Sequence, residues 1–187
     1  SFGCGGFAAE LGLSRFEAVA VQHCPEAAAV ILAHPTGWSL AYSGDCRPSR
    51  QLAAAARGVQ VMIHEATFED DLADHAVSKR HSTSGEALRV AGEAAAECTI
   101  LTHFSQRYPK AVATRSPTDG PAAGGAQVSA RSPNSAATAI TAAADATVIT
   151  AFDGMRVRWD RLGELPAVMG RVNAMFVAHD EYKKQHG

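Results

Sequence analysis

Large apolar residues fall in short bursts along this chain, each closed by glycine, proline, aspartate or serine. Val19 and Val21 alternate with polar neighbours, and Ala29-Val30-Ile31-Leu32 follow as a continuous apolar run, so residues 17–34 read as two extended segments. After Gly37, Trp38-Ser39-Leu40-Ala41-Tyr42 alternates again and ends at Ser43-Gly44-Asp45. Pro48 and Ser49 open an Ala-rich helix that runs through about Ala56 and stops at Gly58. Val59 to Ile63 is a buried-strand pattern that runs into His64-Glu65. Thr83-Ser84-Gly85-Glu86 has the form of a capping box, in which a hydroxyl and a carboxyl three residues apart satisfy each other's exposed amides. Ala87, Leu88, Ala91, Ala94 and Ala95 then supply one apolar helical stripe. Cys98 to Thr102 is a further strand, ending at His103. Strand, helix and strand in turn, with polar residues at the strand ends, predict an α/β layered sheet.

The pattern changes after Lys110. Residues 113–144 are Ala, Ser, Thr, Gly and Pro with almost no large apolar residue, which is the composition of a disordered insert or surface loop. Thr147 to Thr150 and Met155 to Trp159, joined across Asp153-Gly154, predict a hairpin. Val168, Val172, Met175 and Phe176 form a weak helical stripe in the tail. The chain therefore divides into a main segment, 1–112, an insert, 113–144, and closing strands with a terminal helix, 145–187.

Composition alters this picture in two ways. Hydrophobic residues are 47% of the 187, but many are alanine, so the large side chains of a lean core must be concentrated in the strands. The net charge of −2 gives no general attraction for nucleic acid, and any phosphate contact must be local. The apolar runs are too short to span a membrane, and no basic-then-apolar signal segment opens the chain. It begins at Ser1 rather than Met, as a fragment would. Cys4, Cys24, Cys46 and Cys98 form no C-x-x-C pair, which argues against a zinc finger and for reduced thiols.

The histidines and carboxylates carry the chemistry. His23, Asp45, His64-Glu65 and His103 each follow a strand, and one edge of a layered sheet is where α/β proteins build sites. Imidazole nitrogen and carboxylate oxygen suit Zn²⁺, and an aspartate with two oxygens can bridge two ions. Hydrogen-bonded structural histidines remain the alternative on spacing alone.

Five stretches in this order sharpen the choice: Val21-Gln22-His23-Cys24, Tyr42-Ser43-Gly44-Asp45, Ile63-His64-Glu65-Ala66-Thr67-Phe68-Glu69-Asp70, Lys79-Arg80-His81-Ser82-Thr83 and Leu101-Thr102-His103-Phe104-Ser105-Gln106-Arg107-Tyr108. They resemble the C-terminal half of a tRNase Z, the zinc-dependent endoribonuclease that trims tRNA precursors at the 3′ end, and the long eukaryotic-type form most. The likeness covers about residues 17–112 and resumes more weakly over 148–182, where Ala151-Phe152-Asp153-Gly154-Met155 is similar to the family's closing strands. It implies the C-terminal part of a metallo-β-lactamase-like four-layer αββα sandwich and two zinc ions in the complete enzyme. It implies His23 and His103 as ligands of different zincs, Asp45 as the bridging carboxylate, Glu65 and His81 as a carboxylate–imidazole relay, and Arg107 as a contact to RNA phosphate. A solvated surface arginine is an equal reading of Arg107. Arg47, Lys79 and Arg80 lie near the site in sequence and would supply a local positive field. His34, His75, His179 and His186 match no motif.

Two departures matter. Cys46 stands where the family usually has threonine, as a soft competing ligand or a small buried stand-in for serine. The H-x-H-x-D-H motif, which the family uses for most of its zinc ligands, does not occur in residues 1–187. The resemblance thus implies precursor tRNA as substrate, an intracellular protein of nucleus, mitochondrion or plastid, no membrane partner, and two similar halves or subunits face to face. Residues 1–187 alone are expected to be inactive. A phosphodiesterase of the same fold, or a non-catalytic RNA-binding or scaffold half, are the alternatives.

Overall fold

The computed structural model describes residues 2–3, 5–105, 146–172 and 174. Seven strands among them form one sheet in chain order: β1 (Phe2–Gly3), β2 (Arg15–Ala20), β3 (Ala28–Ala33), β4 (Ser39–Tyr42), β5 (Val61–Glu65), β6 (Cys98–Thr102) and β7 (Thr147–Thr150). β1 to β4 pair antiparallel, and β4 to β7 pair parallel. The change follows from the connections. Short turns join the antiparallel neighbours, whereas parallel neighbours need a crossover. The helix α2 (Arg50–Ala55) lies between β4 and β5; α3 (Ala73–Lys79) and α4 (Ser84–Glu93) lie between β5 and β6. The short α1 (Gly5–Glu10) joins β1 to β2.

Two helix starts, those of α2 and α4, were legible for a physical reason that the structure shows. Ser49 caps α2 by accepting the Leu52 amide at 3.1 Å. Thr83 and Glu86 form the full capping box of α4, with Glu86 N–H to Thr83 Oγ1 at 3.2 Å and Thr83 N–H to Glu86 Oε2 at 3.0 Å.

Hydrophobic clusters lie on both faces of the sheet. Val19, Ile31, Ala41 and Met62 pack against Leu52 and Ala53 of α2 and Val90 and Ala91 of α4. The small alanines let the helices sit close to the sheet and to each other, so a core lean in large residues still closes. Each large side chain buried here, such as Ile31 or Leu52, contributes roughly 1.5–3 kcal/mol. On the opposite face, Val61, Ile100 and Ile149 are covered by Trp159, Leu162, Leu165 and Met169.

The covering by Trp159 corrects an expectation. Met155 to Trp159 does not form the second strand of a hairpin. Asp153-Gly154 makes the expected turn, but the chain then runs irregularly into a 3₁₀ segment, Trp159–Glu164, and a helical segment, 165–172. β7 pairs instead with β6, in parallel. Met155 and Trp159 are alternate apolar residues because they seat on the sheet face, and Trp159 Nε1–H donates to Gln60 Oε1 at 2.9 Å. The proposed insert, 113–144, and the tail beyond 174 lie outside the described residues. Among the described residues no helix is long and apolar enough to cross a membrane.

Candidate metal centre

The sheet delivers the five motif residues to one edge. β4, β5 and β6 run parallel, so Asp45, Glu65 and His103 leave from the same ends. Two antiparallel steps restore the direction between β4 and β2, so the turn after β2 brings His23 to that edge as well. His23 lies three residues past the strand rather than on its last position. At the end of β4, Gly44 has φ +58°, and a Cβ there would meet the Ala28 carbonyl oxygen at 3.3 Å. Only glycine makes this turn cheaply, and the turn aims Asp45. His103 also adopts the left-handed region, at φ +61°.

Asp45 stands between two imidazoles. Its Oδ2 is 3.9 Å from His23 Nε2 and 3.7 Å from His103 Nε2. The His81 ring lies between the other two rings, with centroids 4.7 Å from His23 and 5.3 Å from His103. Two overlapping triads offer ligand atoms within 4.8 Å of one another: His23, Asp45 and His81, and Glu65, His81 and His103. The donor chemistry fits a metal. His23 Nδ1 is 2.9 Å from the Arg80 carbonyl, which can only accept, so Nδ1 carries the proton. With the ring neutral, its Nε2 lone pair faces a carboxylate oxygen, and two acceptors face each other across a gap that a cation would fill. The spacing is a few tenths of an ångström wider than the edge of about 3.4 Å that zinc bond lengths set for tetrahedral ligands.

Glu65 is buried, with all its nearby partners donors. Oε1 accepts the Cys46 amide at 2.7 Å and His81 Nδ1–H at 2.8 Å. Oε2 accepts Thr67 Oγ1–H at 2.6 Å, the Ser82 amide at 3.1 Å and the Thr67 amide at 3.3 Å. Among the described residues no lysine or arginine contacts it, and a buried carboxylate is costly unless such donors surround it. The bond to Glu65 keeps a proton on His81 Nδ1.

Several supporting residues were not singled out from sequence or were given another part. Thr67 touches Glu65, His81 and His103 through one hydroxyl. Arg80 Nη1 donates to the His23 carbonyl at 2.8 Å, returning the bond that His23 makes to it. Arg47 is forked onto Glu86 at 2.8 and 2.6 Å and also donates to the His81 carbonyl. Its charge is paired, so it ties the loop after β4 to the start of α4 rather than lending an open positive field. Burial alone would raise the Glu86 carboxyl, but hydrogen bonds from Arg47 and the Thr83 amide, and the nearby Arg47 and Arg89 charges, hold it below its ordinary value.

His64 points away from the cluster. Alternation along β5 puts it on the face of Met62, fully buried. Its Nδ1–H meets the Glu65 carbonyl at 2.7 Å, and burial lowers its pKa. Cys46 is fully buried; burial above all, with the Glu65 charge, pushes its thiol up to about 12. An enclosed thiol of this kind fits the serine-like filler, and Cys46 belongs to neither ligand triad. Arg107 lies outside the described residues.

No family model matches the chain. It is 46% identical over 111 residues to tRNAse Z TRZ4, mitochondrial, of Arabidopsis thaliana and 48% identical over 101 residues to Ribonuclease Z 1 of Schizosaccharomyces pombe. It is 43% identical over 98 residues to the human Zinc phosphodiesterase ELAC protein 2. The first two alignments cover 54% of this chain and the third 52%, and each covers 12% of the relative, so the chain spans about an eighth of the length of the curated relatives it matches. Among solved structures, a long-form RNase Z from yeast matches 90% of this chain and 20% of its own, at 27% identity and a TM-score of 0.66. The resemblance carried by the motifs, to a long-form tRNase Z, is thus present in both sequence and fold.

Proposed function

We propose that this chain, similar in sequence and fold to the tRNase Z proteins, supplies the carboxy-side part of a zinc-dependent endoribonuclease site that cuts precursor tRNA at its 3′ end. The observation that carries the reading is the single edge at which His23, Asp45, Glu65, His81 and His103 meet. Asp45 sits within 4 Å of two imidazole nitrogens on different strand exits, which suits a carboxylate shared by two ions. In this reading His23 and His103 would each hold a zinc ion, and Asp45 would be a ligand shared by the two. Bound zinc would neutralise charge on the scissile phosphate and make water a better nucleophile at neutral pH.

The chain's own residues account for the remaining steps. Glu65 fixes the His81 ring and stabilises its imidazolium through the 2.8 Å bond to Nδ1. His81 Nε2 then donates its proton to the 3′ oxygen as the phosphorus–oxygen bond breaks. The products are a tRNA with a 3′-hydroxyl and a trailer with a 5′-phosphate. Arg107 is the proposed contact to substrate phosphate. A catalytic zinc takes about three protein ligands, so further ligands would be needed, and the resemblance implies an H-x-H-x-D-H segment outside residues 1–187 as their source.

The test is cleavage of end-labelled precursor tRNA with both product ends mapped. Protein that carries this chain together with such a segment should release a 3′-hydroxyl tRNA, and residues 1–187 alone should not cut. Zinc-dependent cutting by residues 1–187 alone, or no cutting of precursor tRNA by the longer protein, overturns the reading.

A further inference from the structure

We infer that Thr67 is a positioning residue that sets the tautomer of His103 and so turns the His103 Nε2 lone pair toward Asp45. The inference rests on the metal-site reading above, but its evidence is proton accounting at one oxygen. A threonine hydroxyl has one proton and two lone pairs. Thr67 Oγ1 is 2.6 Å from Glu65 Oε2, 2.8 Å from His103 Nδ1 and 3.3 Å from His81 Nδ1.

The proton has one place to go. Both oxygens of Glu65 already accept a backbone amide, from Cys46 on Oε1 and Ser82 on Oε2. Those amides can only donate, so the carboxylate is an acceptor and the Thr67 hydroxyl donates to it. The hydroxyl oxygen must then accept from His103, which places the His103 proton on Nδ1. The other ring nitrogen, Nε2, is left with its lone pair, 3.7 Å from Asp45 Oδ2. A metal-ligating histidine is oriented in this way by a partner on its other nitrogen.

The backbone holds the same geometry. The Ala66 amide donates to the Thr102 carbonyl at 2.8 Å, and the Ser105 amide donates to the Thr67 carbonyl at 3.1 Å. The exits of β5 and β6 are thereby joined on both sides of His103. That residue is kept in a left-handed conformation that a non-glycine residue rarely adopts. Thr67 thus links the Glu65–His81 pair to His103, and neither group is set independently of the other.

Nitrogen-15 NMR of the histidine rings in the metal-free protein tests this, at roughly pH 8.5, above the ordinary imidazole value near 6.5. In the wild type His103 should be protonated on Nδ1. Thr67→Val removes the hydroxyl and keeps the branched shape, and His103 should then revert to mostly Nε2–H, the form free imidazole side chains favour in water. Thr67→Ser keeps the oxygen and should keep the Nδ1–H form, and His81 should stay Nδ1–H in all three. A wild-type His103 protonated on Nε2 overturns the inference, and so does a folded valine variant in which His103 stays on Nδ1. The wild-type and serine spectra decide the matter even where the valine variant does not fold. Failure to cut precursor tRNA would instead count against the functional reading and leave this result untouched.

Discussion

Glu65→Gln changes one oxygen of a buried carboxylate into an amino group of nearly the same size, inside a cage made only of donors. If the amino group takes the place of Oε1, it faces the Cys46 amide at 2.7 Å and His81 Nδ1 at 2.8 Å. His81 can answer by moving its proton to the other nitrogen, but the Cys46 amide cannot. If the amino group takes the place of Oε2, Thr67 can rotate its hydroxyl to accept, but the Ser82 amide at 3.1 Å cannot. At least one buried backbone amide therefore loses its acceptor, at a cost of about 1–3 kcal/mol. The bonds that remain lose their charge assistance, and the sum comes to about 2–4 kcal/mol. That is a large part of the roughly 5–15 kcal/mol that a domain has in total. Urea denaturation measures the loss, and amide exchange locates it at Cys46 or Ser82. A loss below about 0.5 kcal/mol, within the range of ordinary surface substitutions, with both amides still protected would refute the reasoning.

Asp45 should behave in the opposite way. Its side chain is more than one-third exposed and holds no short hydrogen bond among the described residues, so Asp45→Ala should change stability by less than about 0.5 kcal/mol in the same denaturation assay; a larger loss would make it structural. A Cβ on Gly85 would meet Asp70 Oδ2 at 2.6 Å and displace the carboxylate that accepts the Gly85 amide. Gly85→Ala and Asp70→Ala should therefore couple by about 1 kcal/mol in a double-mutant cycle, and simple additivity would argue against the contact. Glu86 has its carboxyl held below its ordinary value of 4.5, so its contribution is fully present above that value and is lost as pH falls through the lowered one. Arg47→Gln should flatten the acid side of the stability–pH curve, and an unchanged slope would contradict the pairing. Alkylation followed by peptide mapping should label exposed Cys24 and spare Cys46 and Cys98, whose thiols burial pushes up to about 12 and about 11; fast labelling of Cys46 would contradict its enclosure.

Much of this arrangement was legible before the structure. Alternation and apolar runs marked the strands from β2 to β6 because each buries at least one face. Ser49 and the Thr83–Glu86 pair marked two helix starts because exposed amides there need acceptors. Strand ends brought His23, Asp45, Glu65 and His103 to one edge because α/β connections return the chain to the same side. What was not legible depends on partners distant in sequence. Met155 to Trp159 alternates like a strand, but Met155 and Trp159 seat on a sheet face built by β5, β6 and β7 while Val157 stays exposed. Arg47 reads as a free charge until the fork onto Glu86 is seen. Thr67 is one small hydroxyl in a motif, and its part depends on three distances that no local pattern encodes.

The central claim is that the cluster at the sheet edge is a zinc site with Asp45 as the shared ligand. Zinc content of a protein that joins this chain to an H-x-H-x-D-H segment, compared between wild type and Asp45→Ala after dialysis, tests it most directly. About two zinc ions per wild-type chain are predicted, as in two-metal sites, with most of that content lost in the variant although it stays folded. A folded Asp45→Ala protein that retains wild-type zinc would contradict the account.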